Sequence, residues 1–250
     1  MPPKALPLER PFDSWDAIKI LALLLMFVDH TGAFFYTDVK YQWLRAIGRG
    51  SAPIFMFLAG YASSYRFKWD LFFLGVLMCI SDFLLAGYLR TQNILFTILL
   101  TRMFFKWVES RPTKIIKSPW QWVIGSSAWL LSIAVFQYGT LCLMYALCAY
   151  VKKRKDQYTQ QQFNGTLILT CAIYALITQL TFQMTWPNCA LTVFVVSCVG
   201  YLLWKIEIRP LDMSRFPRPL VWFLQQAAMY SGYIYALHMI ALEWISGIPF

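Results

Sequence analysis

Six apolar stretches, at residues 17–36, 69–89, 119–136, 165–185, 189–205 and 220–245, constrain this chain more than any motif in it. Crossing the hydrocarbon core of a bilayer takes roughly 20 residues of helix, and each stretch reaches or approaches that length. Hydrocarbon offers no water to a broken backbone ladder, so runs of this kind are helices and the expected fold is all-α, a polytopic transmembrane bundle. Three shorter runs, Ala52–Tyr65, Ile94–Val108 and Leu141–Val151, read as short or tilted spans, or as re-entrant pieces buried by neighbours. With 59% apolar residues, 14% charged residues and a mean hydropathy of +0.52, the chain carries more apolar surface than a soluble domain of its size buries.

Counting all nine runs as crossings assigns the 22 Lys and Arg residues to alternating sides: seventeen to one, four (Lys40, Arg45, Arg49 and Arg90) to the other, and Arg102 inside a span. That bias predicts a cytoplasmic amino terminus and an outside carboxyl terminus. Residues 1–15, with Pro2, Pro3, Pro7 and Pro11 and no secretory core or cleavage site, read as a retained cytoplasmic tail ahead of one transmembrane domain at 16–250. The chain is expected to be integral to a membrane. The net charge of +10 is spread over five cytoplasmic segments rather than one basic patch, so it implies topology and contact with anionic lipid, not nucleic acid. The densest cluster, Lys152–Lys155, reads as a solvated, orienting loop. Oligomeric state has no signature here.

The ionisable residues inside apolar runs carry the functional signal, because a charge in hydrocarbon is expensive and seldom kept without use. Asp29 and His30 lie near the end of the first run, and the chain has only two histidines. Lys19 precedes His30 by eleven residues. Eleven steps of 100° make three turns plus about 20°, so both side chains share one face about 16 Å apart along the axis. A cation at the rim aligned with a base at depth suits a long anionic donor, such as an acyl thioester of coenzyme A, better than a compact solute.

The Lys-x10-His spacing resembles the Arg-x10-His signature of the acyl-3 transmembrane acyltransferases. A closer resemblance is carried by Asp16-Ala17-Ile18-Lys19, Leu25-Met26-Phe27-Val28-Asp29-His30 and Gly48-Arg49-Gly50-Ser51-Ala52-Pro53-Ile54-Phe55-Met56-Phe57-Leu58-Ala59-Gly60. These resemble the TraX family of membrane acetyltransferases, whose named member acetylates pilin. Thinner anchors follow at Gln92-Asn93-Ile94-Leu95-Phe96, at Tyr138-Gly139 and at Tyr235-Ala236-Leu237-His238. The resemblance implies acetyl-coenzyme A as donor and, as acceptor, an amine at the start of a small membrane protein such as a pilin; a glycan hydroxyl or amine is a second candidate.

His30 is expected to act as a neutral general base, or to accept the acyl group itself in a two-step reaction. Asp29 lies about 100° around the helix from it, so its partner belongs on another helix. Arg49, between two glycines that let backbone pass close to another group, is the natural one; it equally suits a coenzyme A phosphate or the oxyanion of a tetrahedral intermediate. Lys19 is assigned to the donor. Asn93 is read as a donor to the thioester or acceptor carbonyl, and Asp82 either as a partner of Arg102 or as an orienting group for His30. Tyr138 and His238 are candidates for lining the acceptor path. No Cys-x-x-Cys pair occurs among six cysteines and the two histidines are far apart, so neither a disulfide frame nor a metal is expected. The rival from another class is a proton-coupled secondary transporter relaying through Asp29, His30, Asp82 and Glu243, although the paired repeats of such carriers are not found. A third reading is a non-catalytic membrane subunit whose buried polar groups serve helix association.

Overall fold

A computed structural model of the protein describes residues 11–62, 64–87, 93–111, 116–127 and 138–247. Among these the elements are α1 (Ser14–Phe34), a 3-10 turn (Val39–Tyr41), α2 (Gln42–Gly48), α3 (Ser51–Tyr61), α4 (Trp69–Ala86), α5 (Ile94–Glu109) and α6 (Pro119–Ser127). They continue with α7 (Gly139–Lys153), α8 (Gln160–Phe182), α9 (Trp186–Lys205), α10 (Arg218–Met229) and α11 (Ser231–Ser246). The chain is all-α, and the described residues contain no strand beyond an isolated bridge between Asp13 and Pro210. Local sequence sets the helix ends. Asp13 and Asp16 form a capping box that starts α1, Thr159 and Gln162 another that starts α8, and Gly87 ends α4 at φ 75°.

Four helices, α1, α4, α8 and α9, are long and apolar enough to cross a membrane, against six full-length candidates in the sequence. Of the other two, 119–136 is described only as far as α6, and residues 128–136 lie outside the described set. The run 220–245 is two helices, not one. Tyr230 (φ −95°, ψ 22°) leaves the helical path between α10 and α11, and a Cβ on Gly232 would stand 2.9 Å from Leu71 Cδ2, so the missing side chain lets α11 begin against the start of α4. Val221, Gln225 and Ala228 turn one face of α10 inward while Trp222, Phe223 and Met229 face out.

Two of the three short runs, α3 and α7, are the interior of the bundle, whereas α5 keeps Leu100, Met103 and Trp107 exposed. From Leu141 to Lys152 nearly every α7 side chain is buried, and α3 buries Ile54, Met56 and Phe57 completely, whereas α4, α8 and α9 bury only 28% of their apolar windows. A helix apolar on all sides belongs inside. The α3 and α7 backbones touch because Gly60 has no Cβ where the Ala146 carbonyl lies, the close approach small residues give to membrane helices.

One end of the bundle gathers the segments rich in Lys and Arg, and the 152–155 cluster is what ties them together. Only Lys155 is solvated, and Lys152 and Lys153 are the last residues of α7 rather than a loop. Lys152, buried, donates at 2.6 Å to both Leu203 and Trp204 carbonyls at the end of α9, and Lys153 donates at 2.8 Å to the Ala62 carbonyl after α3. Arg154 pairs with Glu109 at the end of α5 and Lys155 with Glu207. Sequence reading missed this because every partner is 45 or more positions away, and three of them are carbonyls with no side-chain signature. Lys152→Leu is expected to destabilise the protein by about 1.5–3 kcal/mol, the worth of hydrogen bonds to a charged group, read as a lower melting temperature in detergent with helix content unchanged.

Candidate active site

Helix α1 lays Lys19, Met26, Asp29 and His30 along one cavity of about 990 Å³. The rest of its wall comes from α3, α5, Tyr138 and the α10–α11 junction, and its rim carries Lys19, Arg66, Lys68, Arg102 and Lys153 against Asp13 and Asp70. Ligand sites usually fall at about 300–1,000 Å³, so this one has room for an extended molecule. Arg102, expected to pair with Asp82, instead donates to the Ser64 (2.5 Å) and Arg66 (3.3 Å) carbonyls. The α4–α5 register separates the two: Asn93 caps α5 at the level of Gly75 and Cys79, which leaves Asp82 beyond the start of α5 and Arg102 more than two turns away toward the rim.

At depth, Asp29 accepts hydrogen bonds from Arg49 and forms an ion pair with Arg45. Arg49 Nη2 reaches both of its oxygens, at 2.7 and 2.6 Å, Nε reaches Oδ1 at 3.2 Å, and Arg45 Nε lies 2.9 Å from the same Oδ1. Both guanidinium groups lie over the Phe182 ring, at 5.0 and 4.2 Å. Gly48 makes the pairing possible, since its missing Cβ would coincide with the Asp29 backbone and side chain. The expected partnership of Asp29 with Arg49 is present. Arg49 is 3% exposed and stands behind Asp29, outside the cavity wall, which leaves it no contact with a coenzyme A phosphate there. Its remaining Nη1 donates to Tyr138 Oη at 3.3 Å, and its own carbonyl accepts from Tyr174 Oη at 2.8 Å.

His30 is 6% exposed and the His238 ring stacks on it, with centroids 5.3 Å apart and planes 17° apart. Phe27 meets His238 edge-on at 4.4 Å, and Tyr235 lies 6.1 Å from His30. The two histidines of the chain therefore form one cluster, with His30 on the cavity wall and His238 stacked behind it, although 208 positions separate them. Asn93 does not join it: its Oδ1 caps Leu95 N–H at 3.2 Å and its Nδ2 donates to the Gly75 carbonyl at 2.9 Å. Asp82 and Glu243 are also buried away from the cavity wall, and Glu243 accepts from Ser81 at 3.3 Å on the α4–α11 seam. Gln92, next to Asn93, lies outside the described residues. Arg45 went unassigned in the sequence, yet it sits four positions before Arg49, the spacing that puts both on one helical face.

A family model described as TraX protein matches residues 14–246, which takes in Lys19, Asp29, His30, Arg49, Tyr138 and His238 alike. The chain belongs to the TraX family. The TraX match also runs through 109–137 and 152–220, where no usable motif was visible, and it says nothing of the acyl-3 acyltransferases. An uncharacterized protein of Rickettsia prowazekii (strain Madrid E) is 27% identical over 168 residues, 67% of this chain. The match covers 64% of that relative, so the chain spans a little under two thirds of its length. No solved structure matches.

Proposed function

We infer that the protein is a membrane acyltransferase that takes an acetyl or other short acyl group from coenzyme A at the Lys19 rim and transfers it to an amine or hydroxyl. The observation that carries this reading is one cavity joining a basic rim to His30, on which His238 stacks. Cations at the mouth suit the phosphates of the donor, and the buried imidazole suits proton removal from the acceptor. His30 takes that proton as nitrogen or oxygen attacks the thioester carbonyl; the C–S bond then breaks, and the thiolate leaves with the proton as coenzyme A thiol. TraX membership supports acetyl as the group and a pilin-like amine as one acceptor, a glycan being the other. By the same reading the Lys19 rim faces the cytoplasm of a bacterium and the chain sits in its inner membrane.

The test is purified protein in detergent with labelled acetyl-coenzyme A. Thioester turnover is expected, and Lys19→Ala is expected to raise KM for the donor about tenfold, the loss of one charge contact of about 1.4 kcal/mol, with kcat nearly unchanged. Absence of both donor binding and turnover in the wild-type protein sinks the reading and favours a transporter.

A further inference from the structure

Acyl transfer through a tetrahedral intermediate puts negative charge on the former carbonyl oxygen, and a hydrogen-bond donor aimed there is commonly the largest single contribution to rate. The arginines nearest His30 are not free to provide it. Arg49 and Arg45 are held by Asp29 behind the cavity wall, and the last free edge of Arg49 is spent on Tyr138.

Tyr138 does line the cavity, with His30. Its oxygen accepts from the Arg49 guanidinium, and among the described residues its own hydroxyl hydrogen has no acceptor. A phenol has one proton to give. Accepting a charge-assisted bond polarises it and makes that proton a stronger donor.

The backbone adds an independent mark. Tyr138 sits at φ 64°, ψ −12°, and only Gln183 shares positive φ among the described non-glycine residues. Gln183 follows the end of α8, where a left-handed residue is ordinary. Tyr138 precedes the start of α7, where a bulky residue in that conformation is strained. Strain of this kind persists where surrounding contacts over-determine it, and it clusters at functional sites. Here Arg49 holds the hydroxyl, and Tyr174, itself bonded to the Arg49 carbonyl, stacks on the ring at 6.5 Å.

We propose that Tyr138 is a catalytic residue whose hydroxyl donates to the thioester carbonyl oxygen and stabilises the oxyanion, with Arg49 as a positioning residue acting through it. The inference rests on the acyl-transfer reading above. As the acceptor attacks, the carbonyl π pair moves onto oxygen against the Tyr138 O–H; it returns to re-form the carbonyl as the C–S bond breaks, and no proton leaves the phenol.

The experiment compares wild type with Tyr138→Phe, in detergent, for coenzyme A affinity, KM and kcat with acetyl-coenzyme A. The expected result is a loss of about a hundredfold in kcat, with KM and coenzyme A binding near wild type. A merely structural role would weaken both. A second variant keeps the fold intact: a fluorinated tyrosine at position 138, nearly isosteric and more acidic, is expected to change kcat without changing KM. Wild-type kcat in Tyr138→Phe, or no response to fluorination, overturns the proposal while leaving acyl transfer standing; no thioester turnover in the wild-type protein overturns both.

Discussion

His30→Ala is expected to lower acetyl-coenzyme A turnover by about 10²- to 10⁴-fold, the range over which a positioned general base accelerates a reaction. Donor affinity is expected to survive, because Lys19 at the cavity mouth is about three helical turns from the deleted ring. Loss of kcat with KM unchanged is the signature of an interaction made in the transition state. The stacked neighbour sharpens the test, since His238 lies 5.3 Å from His30 and could in principle take over the proton. If His238 is the base, His30→Ala keeps most of its rate and His238→Ala loses it. Acid-quenched wild-type protein that retains label, with none retained in His30→Ala, identifies an acyl-imidazole intermediate. Unchanged turnover in both single variants removes the histidine cluster from the chemistry.

What the sequence revealed of this molecule follows the range of each physical signal. Asp29 and Arg49 could be joined from sequence because a buried carboxylate demands a cation and Arg49 alone carried flanking glycines; Gly48 proves to be the point where α2 meets Asp29. Arg45 was passed over because the charge of Asp29 appeared satisfied by one partner. Stacking of His238 on His30 has no local trace, being a consequence of how α11 packs against α1. Hydropathy found the α10–α11 region but could not see its break, since both helices are apolar enough to extend the window while the backbone turns at Tyr230. Asn93 was misassigned for a related reason: a polar residue ahead of an apolar run is the ordinary sign of a helix cap, and its proximity to a family-like anchor outweighed that sign. The short runs looked doubtful as spans because length was the only criterion, whereas their all-round burial in α3 and α7 explains why length is not needed.

Asp29→Ala is expected to be the most destabilising single replacement at this site, at about 3–5 kcal/mol, the cost of breaking a buried ion pair by removing one partner. Asp29 is the carboxylate on which both Arg45 and Arg49 close, and Arg49 is 3% exposed, so its removal leaves two cations facing each other with little water to screen them. Arg49→Met is expected to cost less, since Arg45 still neutralises the carboxylate at 2.9 Å. The informative comparison is a triple variant, Asp29→Leu with Arg45→Met and Arg49→Met. Well-packed apolar groups often replace a buried ionic cluster without loss of stability, so its melting temperature in detergent is expected to return close to wild type. Activity is not expected to return with it, because Tyr138 loses the guanidinium that holds its hydroxyl at the cavity wall. Recovery of both would mean that the cluster only joins α1 to α2; stability regained without turnover would mean that two buried arginines on one aspartate are kept for the chemistry beside them, at a cost the fold alone does not require.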